Sequence, residues 1–151
     1  MTKWLTDEEQ QAWRGLIHMT AQLNTRLNRQ IQDEHDISLA DYGVLARLHD
    51  APEPGLRARD LEATLAWEQS RLSHQLSRMQ RRGLVERHEC LDDRRGAAFA
   101  ITATGRTAIE DAAPGHVIAV RRMLFDHLTP GEVTWLAELT TRVTDRLGDP
   151  A

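Results

Sequence analysis

The sequence predicts a mainly α-helical chain with one small β-hairpin near its middle. Apolar residues recur at steps of three and four over most of the 151 residues, which is the spacing of helices with one buried face. Only 5 prolines and 9 glycines interrupt this pattern. Over 84–101 the spacing changes, and two short runs flank a polar tip, which is typical of a hairpin.

Capping residues mark where three of the helices begin. Thr6 is followed three residues later by Glu9, so a capping box starts a first helix of about six or seven turns. Ser38 caps a short second helix in the same way, and two prolines after it end the segment. Thr129 caps the last helix and is followed by Pro130 at the first helical position.

Between these points the chain predicts two short helices, the hairpin and one long helix. We expect the third helix over 57–65 and the fourth over 68–82, with a tight turn between them. Helical spacing resumes after the hairpin. Pro114 must kink or divide this fifth helix, because proline has no amide hydrogen to donate.

Length, charge and cysteine content limit the possible classes of protein. The chain has the size of one domain, and its net charge of −4 argues against a basic nucleic-acid coat protein while allowing a local basic patch. Apolar runs are far shorter than the ~20 residues that span a bilayer. The N-terminus lacks the pattern of a secretory signal, and a single cysteine, Cys90, forms no internal disulfide, so we expect a cytoplasmic protein.

The predicted order of elements, two helices at a tight turn followed by a hairpin, is that of a winged helix-turn-helix, which lays its second helix in the DNA major groove. Four arginines and no acidic residue lie between Arg71 and Arg82, so this segment carries +4 and, within the net charge of −4, the rest of the chain carries −8. A molecule polarised in this way turns one face toward phosphates. We therefore expect 38–103 to form a winged helix-turn-helix DNA-binding lobe.

The fourth helix combines core residues with polar side chains that suit DNA. Leu72, Leu76 and Met79 share one side and are expected in the core. The candidate DNA contacts are Gln69, Ser70, Arg71, Ser73, His74, Gln75 and Arg78. Any arginine-rich surface helix would look similar, so the hairpin tip adds weight. Arg94 and Arg95 lie on a turn that can project them into a minor groove, although a solvated turn is the alternative.

Four short segments resemble those of a known family: Arg-Gly-Leu-Val at 82–85, Asp-Asp-Arg-Arg at 92–95, Ile-Thr-Ala-Thr-Gly at 101–105 and Leu-Thr-Pro-Gly-Glu at 128–132. Over about residues 10–147 the chain resembles the multiple antibiotic resistance regulator (MarR) family of bacterial transcription factors. The resemblance implies a homodimer that binds an inverted-repeat operator, usually as a repressor. It also implies that Arg95 enters the minor groove, that Asp93 braces it, and that Arg94 touches phosphate.

Apolar side chains on the terminal helices independently predict a dimer. They exceed what a winged lobe can cover, and they are Trp4, Trp13, Val117, Val120, Met123, Leu124, Phe125, Trp135, Leu136 and Leu139. We expect one domain over 1–151 in which 6–35 and 104–147 form the helical dimerisation region. Two-fold symmetry would set the two recognition helices roughly 34–36 Å apart on a pseudo-palindromic operator of double-stranded DNA.

The resemblance further implies that a small aromatic or anionic effector enters a cleft between the dimerisation helices and the winged lobe and releases DNA. Candidate lining residues are Trp13, Ile17, Tyr42 and Arg106, for which ordinary core packing is the alternative. No cofactor is expected.

Other classes of function have weaker support. No metal site is expected, because His88 and Cys90 are the nearest pair of ligand types and two ligands close no site. No catalytic activity is expected, since the chain has neither a glycine-rich phosphate loop nor a nucleophile motif. A redox-responsive regulator acting through Cys90 stays open, although the family's peroxide sensors use a cysteine near the first helix that this chain lacks. A helical protein-interaction module without DNA binding also stays open, but it leaves the hairpin arginines without a role.

Overall fold

The computed structural model describes residues 2–89 and 96–148, and its elements follow the predicted order. The helices are α1 (Asp7–His35), α2 (Leu39–His49), α3 (Ala58–Leu65), α4 (Gln69–Arg81), α5 (Ala103–Met123) and α6 (Pro130–Gly148). The strands are β1 (Leu56–Arg57), β2 (Val85–Glu89) and β3 (Ala97–Ile101), and a short 3-10 helix covers Phe125–His127. A mainly helical chain with a small antiparallel sheet is the predicted fold class, which is confirmed.

The three predicted helix starts are confirmed by their hydrogen bonds. The Thr6 amide donates to Glu9 over 2.7 Å while the Glu9 amide donates to the Thr6 hydroxyl over 3.2 Å. Ser38 and the residue three positions later form the same reciprocal pair at the start of α2. At α6 the Thr129 amide donates to Glu132 over 2.7 Å. Each pair satisfies amides that a helix start leaves without intrahelical partners.

The sheet contains three strands in the order β1-β3-β2, one more than the predicted hairpin. The sequence predicts that the third helix begins at residue 57, but Arg57 pairs with Ala98 and Leu56 pairs with Phe99 in strand β1, so α3 starts at Ala58. Gly55 makes this pairing possible. Its φ of 109° suits glycine, and a Cβ there would clash with the Phe99 carbonyl oxygen.

The core lies where α1 to α5 and the sheet meet. Leu72, Leu76 and Met79 of α4 are buried in it, as their spacing predicts. The other core members include Ile31, Val44, Leu45, Leu48, Leu61, Val85, Ile109 and Ala112. Since α4 buries one side so completely, its remaining side chains must face outward.

Helix α5 continues from Ala103 to Met123 with Pro114 inside it, so this proline does not divide the helix, and the alternative expectation, a kink, stays a prediction. The proline costs one backbone hydrogen bond, which a helix of 21 residues tolerates. The described part of the chain divides into two compact units, one ending at His116 and the other beginning at Val117.

The second unit consists of the end of α5, the 3-10 helix and α6. Its apolar side chains stay largely exposed, with Trp135 at 58% and Leu147 at 80%. The described part of α6 contains no buried residue. An amphipathic helix with an uncovered apolar side calls for a partner surface.

Candidate nucleic-acid interface

The outward side of α4 is polar and free of acidic groups. Ser70, Ser73 and His74 are exposed, as are Gln69, Arg71 and Arg78. These are six of the seven α4 residues that the sequence predicts to contact DNA, and the structure brings them onto one continuous surface. Hydroxyl, imidazole and guanidinium groups can donate to phosphates and base edges.

Gln75 is the exception on this helix. The sequence predicts it on the polar side, and this is wrong, because its side chain is only 3% exposed. Its Nε2 donates to Oδ1 of buried Asp41 on α2, and its Oε1 accepts a 2.6 Å hydrogen bond from Nη2 of Arg78. Because the amide is buried and is hydrogen bonded within the protein at both ends, it does not present itself to a DNA base.

The same surface contains two residues that the sequence analysis missed, Ser77 and Arg81. Both are exposed. With Ser70 and His74 they follow steps of four, three and four, so the four side chains project from one side of α4, directly opposite the core. The spacing was visible in the sequence, and extending it past Gln75 would have found them.

Arg71 is held at the start of α4 by an aromatic ring. Its guanidinium carbon lies 4.1 Å from the ring centroid of Trp67, which itself packs against the core. A cation over a tryptophan face gains about 0.5–1 kcal/mol when exposed. No side chain caps this helix start at Glu68, and its first turn holds no acid, so the first-turn amides add positive potential beside Arg71.

A groove of about 450 Å³ is lined by residues of α4, α3 and the sheet. It is lined on the α4 side by Gln69, Ser73 and Ser77, and on the other sides by Arg59 and Arg87 among others. The hairpin strands β2 and β3 form its far wall. Asp93, Arg94 and Arg95, predicted at the tip, lie outside the described residues, as does Cys90.

The structure does not bring the four predicted effector residues together in one chain. Trp13 and Ile17 are half-exposed on the first half of α1. The α2 start contacts α1 at Asn28, whose Oδ1 accepts from the Leu39 amide, and Ile17 lies about 16 Å before Asn28 at 1.5 Å per residue. Arg106 is exposed and donates to the His49 carbonyl. The effector pocket stays a prediction.

Tyr42, the remaining member of that set, contacts His116 of α5, with ring centroids 4.3 Å apart. Burial lowers the pKa of His116 and raises the pKa of Tyr42, so both rings are neutral at pH 7. Nδ1 of His116 and Oε1 of Gln30 are buried without a hydrogen-bond partner among the described residues. Burying a polar atom without a hydrogen-bond partner costs folding free energy, so these two atoms lower the stability of the first unit.

Within residues 2–89 and 96–148, no cluster of three or more ligand-type side chains could hold a metal ion. None of the helices in those ranges combines the length and the apolar character that crossing a bilayer requires.

Comparison with known proteins gives consistent results. A model described as the MarR family matches residues 35–96. A MarR-family transcriptional regulator from Streptomyces coelicolor, solved in complex with DNA, is 36% identical, with 99% of this chain and 93% of that chain covered and a TM-score of 0.93. AbsC, another MarR-family transcriptional regulator from Streptomyces coelicolor, is 35% identical, with 97% and 98% covered and a TM-score of 0.89.

A third structure, an Escherichia coli MarR mutant complexed with operator DNA, is 22% identical, with 93% of this chain and 99% of that chain covered and a TM-score of 0.79, which shows likeness of fold. No curated protein matches the sequence. Because two solved relatives exceed one-third identity and align with nearly the whole chain, the protein belongs to the MarR family, the resemblance that its sequence motifs carry.

Proposed function

We propose that the protein is a transcriptional regulator that binds a pseudo-palindromic DNA operator as a homodimer. The observation that carries the proposal is the outward surface of α4, which is polar and basic and holds no acid in a chain of net charge −4. Such a local patch on an acidic body attracts DNA to one face and keeps the other away. The relative solved with DNA, at 36% identity, supports this assignment.

The proposed contacts divide by position on α4. Ser70, His74, Ser77 and Arg81 project opposite the core and would face the base edges of the major groove. Arg71 and Arg78 lie on one flank and would meet phosphates. The wing arginines 94 and 95 belong to the proposal through the family resemblance, with Arg95 in the minor groove and Asp93 as its brace.

Dimerisation through α1, α5 and α6 is the second part of the proposal. Trp4 is 82% exposed and Trp13 is 56% exposed near the start of α1, and the second unit exposes Trp135 and Leu147. Monomeric proteins rarely leave so many large apolar side chains in water. A second copy would bury them and would place two α4 helices on successive major grooves.

We further propose that the protein acts by binding alone, without catalysis or a cofactor, in the cytoplasm of a bacterial cell. A small aromatic or anionic effector would shift the dimer away from the geometry that fits the operator. Such coupling typically amounts to about 1–3 kcal/mol, and it requires the effector to bind the two geometries with different affinity.

Selection from a random DNA pool, followed by titration of the selected duplex across salt concentrations, tests the function. We expect an inverted repeat to emerge and its affinity to fall steeply with salt, since each neutralised phosphate contributes about 0.9 to the logarithmic slope. Failure to retain any duplex at about 50 mM salt would overturn the proposal and favour a protein-interaction module.

Two arginine-to-alanine variants distinguish a specific role of the α4 surface in DNA binding from a general effect of positive charge. Arg71→Ala should weaken binding and reduce the salt slope by about two units, one per half-site, if it meets phosphate. A changed base preference of about 1–3 kcal/mol would instead assign it to a base edge. Arg26→Ala, an exposed arginine on α1, removes the same charge away from α4, and light scattering checks that the dimer stays intact, since α1 belongs to the proposed dimerisation region. Equal losses in both variants would contradict a specific role for α4.

A further inference from the structure

At the middle of α4, the side chain of Gln75 lies between the carboxylate of Asp41 and the guanidinium of Arg78. Its Nε2 donates to Oδ1 of Asp41 over 2.5 Å, and its Oε1 accepts from Nη2 of Arg78 over 2.6 Å. Asp41 and Gln75 are each 3% exposed, whereas Arg78 is exposed. The amide therefore joins a buried carboxylate to a guanidinium at the protein surface.

An amide is the side-chain group that fits this position. A carboxylate only accepts hydrogen bonds and a guanidinium only donates them, so the bridging group must donate at one end and accept at the other. Glutamate at position 75 would set a second carboxylate against Asp41, and lysine there would set a second cation against Arg78. These partners also fix which way the amide points.

Asp41 is itself anchored to the turn between α1 and α2. Its Oδ2 accepts from the Ser38 amide over 2.8 Å and from Nη1 of Arg82 over 2.8 Å. Arg82 also donates to the Asp36 carbonyl over 2.6 Å. A continuous chain of hydrogen bonds thus runs from this turn through the buried carboxylate and amide to the outer surface of α4.

We propose that Gln75 is a positioning residue that, anchored by Asp41, holds the guanidinium of Arg78 ready for a DNA phosphate. The inference rests on the proposed function. Arg78 uses one Nη2 hydrogen for this bond and keeps its other donors for the phosphate. A long side chain that is restrained beforehand loses less freedom on binding, and this should strengthen binding about three- to tenfold per half-site.

A double-mutant cycle on the selected operator tests the inference. Gln75→Met keeps the approximate side-chain volume and removes both polar ends. On the selected operator both half-sites are affected, so we expect it to weaken binding about nine- to a hundredfold in the parent protein. In the Arg78→Ala background the loss should be less than about twofold, because the arginine through which it acts is then absent. In the Arg71→Ala background, which serves as the matched control, the full loss should persist.

The salt dependence of DNA affinity distinguishes positioning of Arg78 from a purely structural role of Gln75, because a structural role would leave the slope unchanged. Arg78→Ala should lower the salt slope by about two units for the dimer, one per half-site, and Gln75→Met should lower it by part of that amount. An equal loss from Gln75→Met with and without Arg78, or no loss in either, overturns the positioning role. Absence of DNA binding by the parent protein counts against the proposed function instead, and thermal melts check that each variant is folded.

If Gln75→Met does not fold, NMR of the arginine side chains in the unaltered protein tests whether Gln75 restrains Arg78. We expect the guanidinium of Arg78 to exchange and rotate more slowly than that of Arg81, which is exposed on the same helix, because only Arg78 has a hydrogen bond to Gln75. Each signal is assigned by its loss in the corresponding Arg→Lys variant. Equal mobility of the two groups overturns the inference.

Discussion

Replacement of Asp41 by alanine should destabilise the fold more than its small size suggests. The carboxylate is 3% exposed and accepts hydrogen bonds from Ser38, Gln75 and Arg82. Loss of the capping contact costs roughly 0.5–1 kcal/mol. The buried Gln75 amide left without an acceptor costs about 1–3 kcal/mol, and Arg82, which is 43% exposed, adds little because water replaces its partner.

The expected total is about 1.5–4 kcal/mol in the free energy of unfolding, or a melting temperature lower by about 3–16 °C for a chain of this length. Urea denaturation followed by circular dichroism at one fixed protein concentration measures it, since oligomers gain stability with concentration. Asp111→Ala, an exposed position on α5, is the control and should be neutral or slightly stabilising. A loss below about 1 kcal/mol for Asp41→Ala would refute the view that this carboxylate organises the contact between α2 and α4.

Three further outcomes are expected. Arg95→Ala should weaken operator binding about tenfold without changing the dimer, measured by anisotropy and light scattering; unchanged affinity would remove the wing from the interface. Trp135→Glu should shift the protein toward monomer in light scattering while its exposed neighbour variant Thr134→Glu does not, and a persistent dimer would exclude α6 from the contact. In NMR titrations His49, whose pKa is raised by its hydrogen bonds to Asp50 and Glu110, should titrate above 6.5 and His116, whose pKa is lowered by burial, below it. The contribution of His49 to stability is therefore present below pH 6.5 and disappears as pH rises through its folded pKa. His116 instead opposes folding only as pH falls below 6.5. A midpoint shared by the two histidines would contradict at least one of these assignments.

Features that depend on nearby residues were predictable from the sequence. The helix starts at Thr6, Ser38 and Thr129 each need a carboxylate three positions later, and all three are confirmed. The burial of Leu72 follows from apolar spacing within α4 itself. The candidate DNA surface was found largely in the same way, because a helix with one apolar side must turn its other residues outward.

Features that depend on distant residues were not predictable. Strand β1 has two residues and no alternation to reveal it, and it exists because Leu56 pairs with Phe99 far along the chain. Gln75 looks like a surface glutamine until Asp41, 34 positions earlier, provides its acceptor. In both cases a long-range partner overrides the local pattern, as tertiary context commonly does.

The strand order of the sheet has a consequence for the solubility of the winged lobe. With β3 in the centre, the two open edges are β1, which has two residues, and β2, whose sequence Val-Glu-Arg-His-Glu is rich in charge. A long uncharged edge would invite strands of neighbouring molecules to add on and grow into fibres. One edge of this sheet is too short and the other is rich in charged side chains, so neither favours the addition of a strand from another molecule.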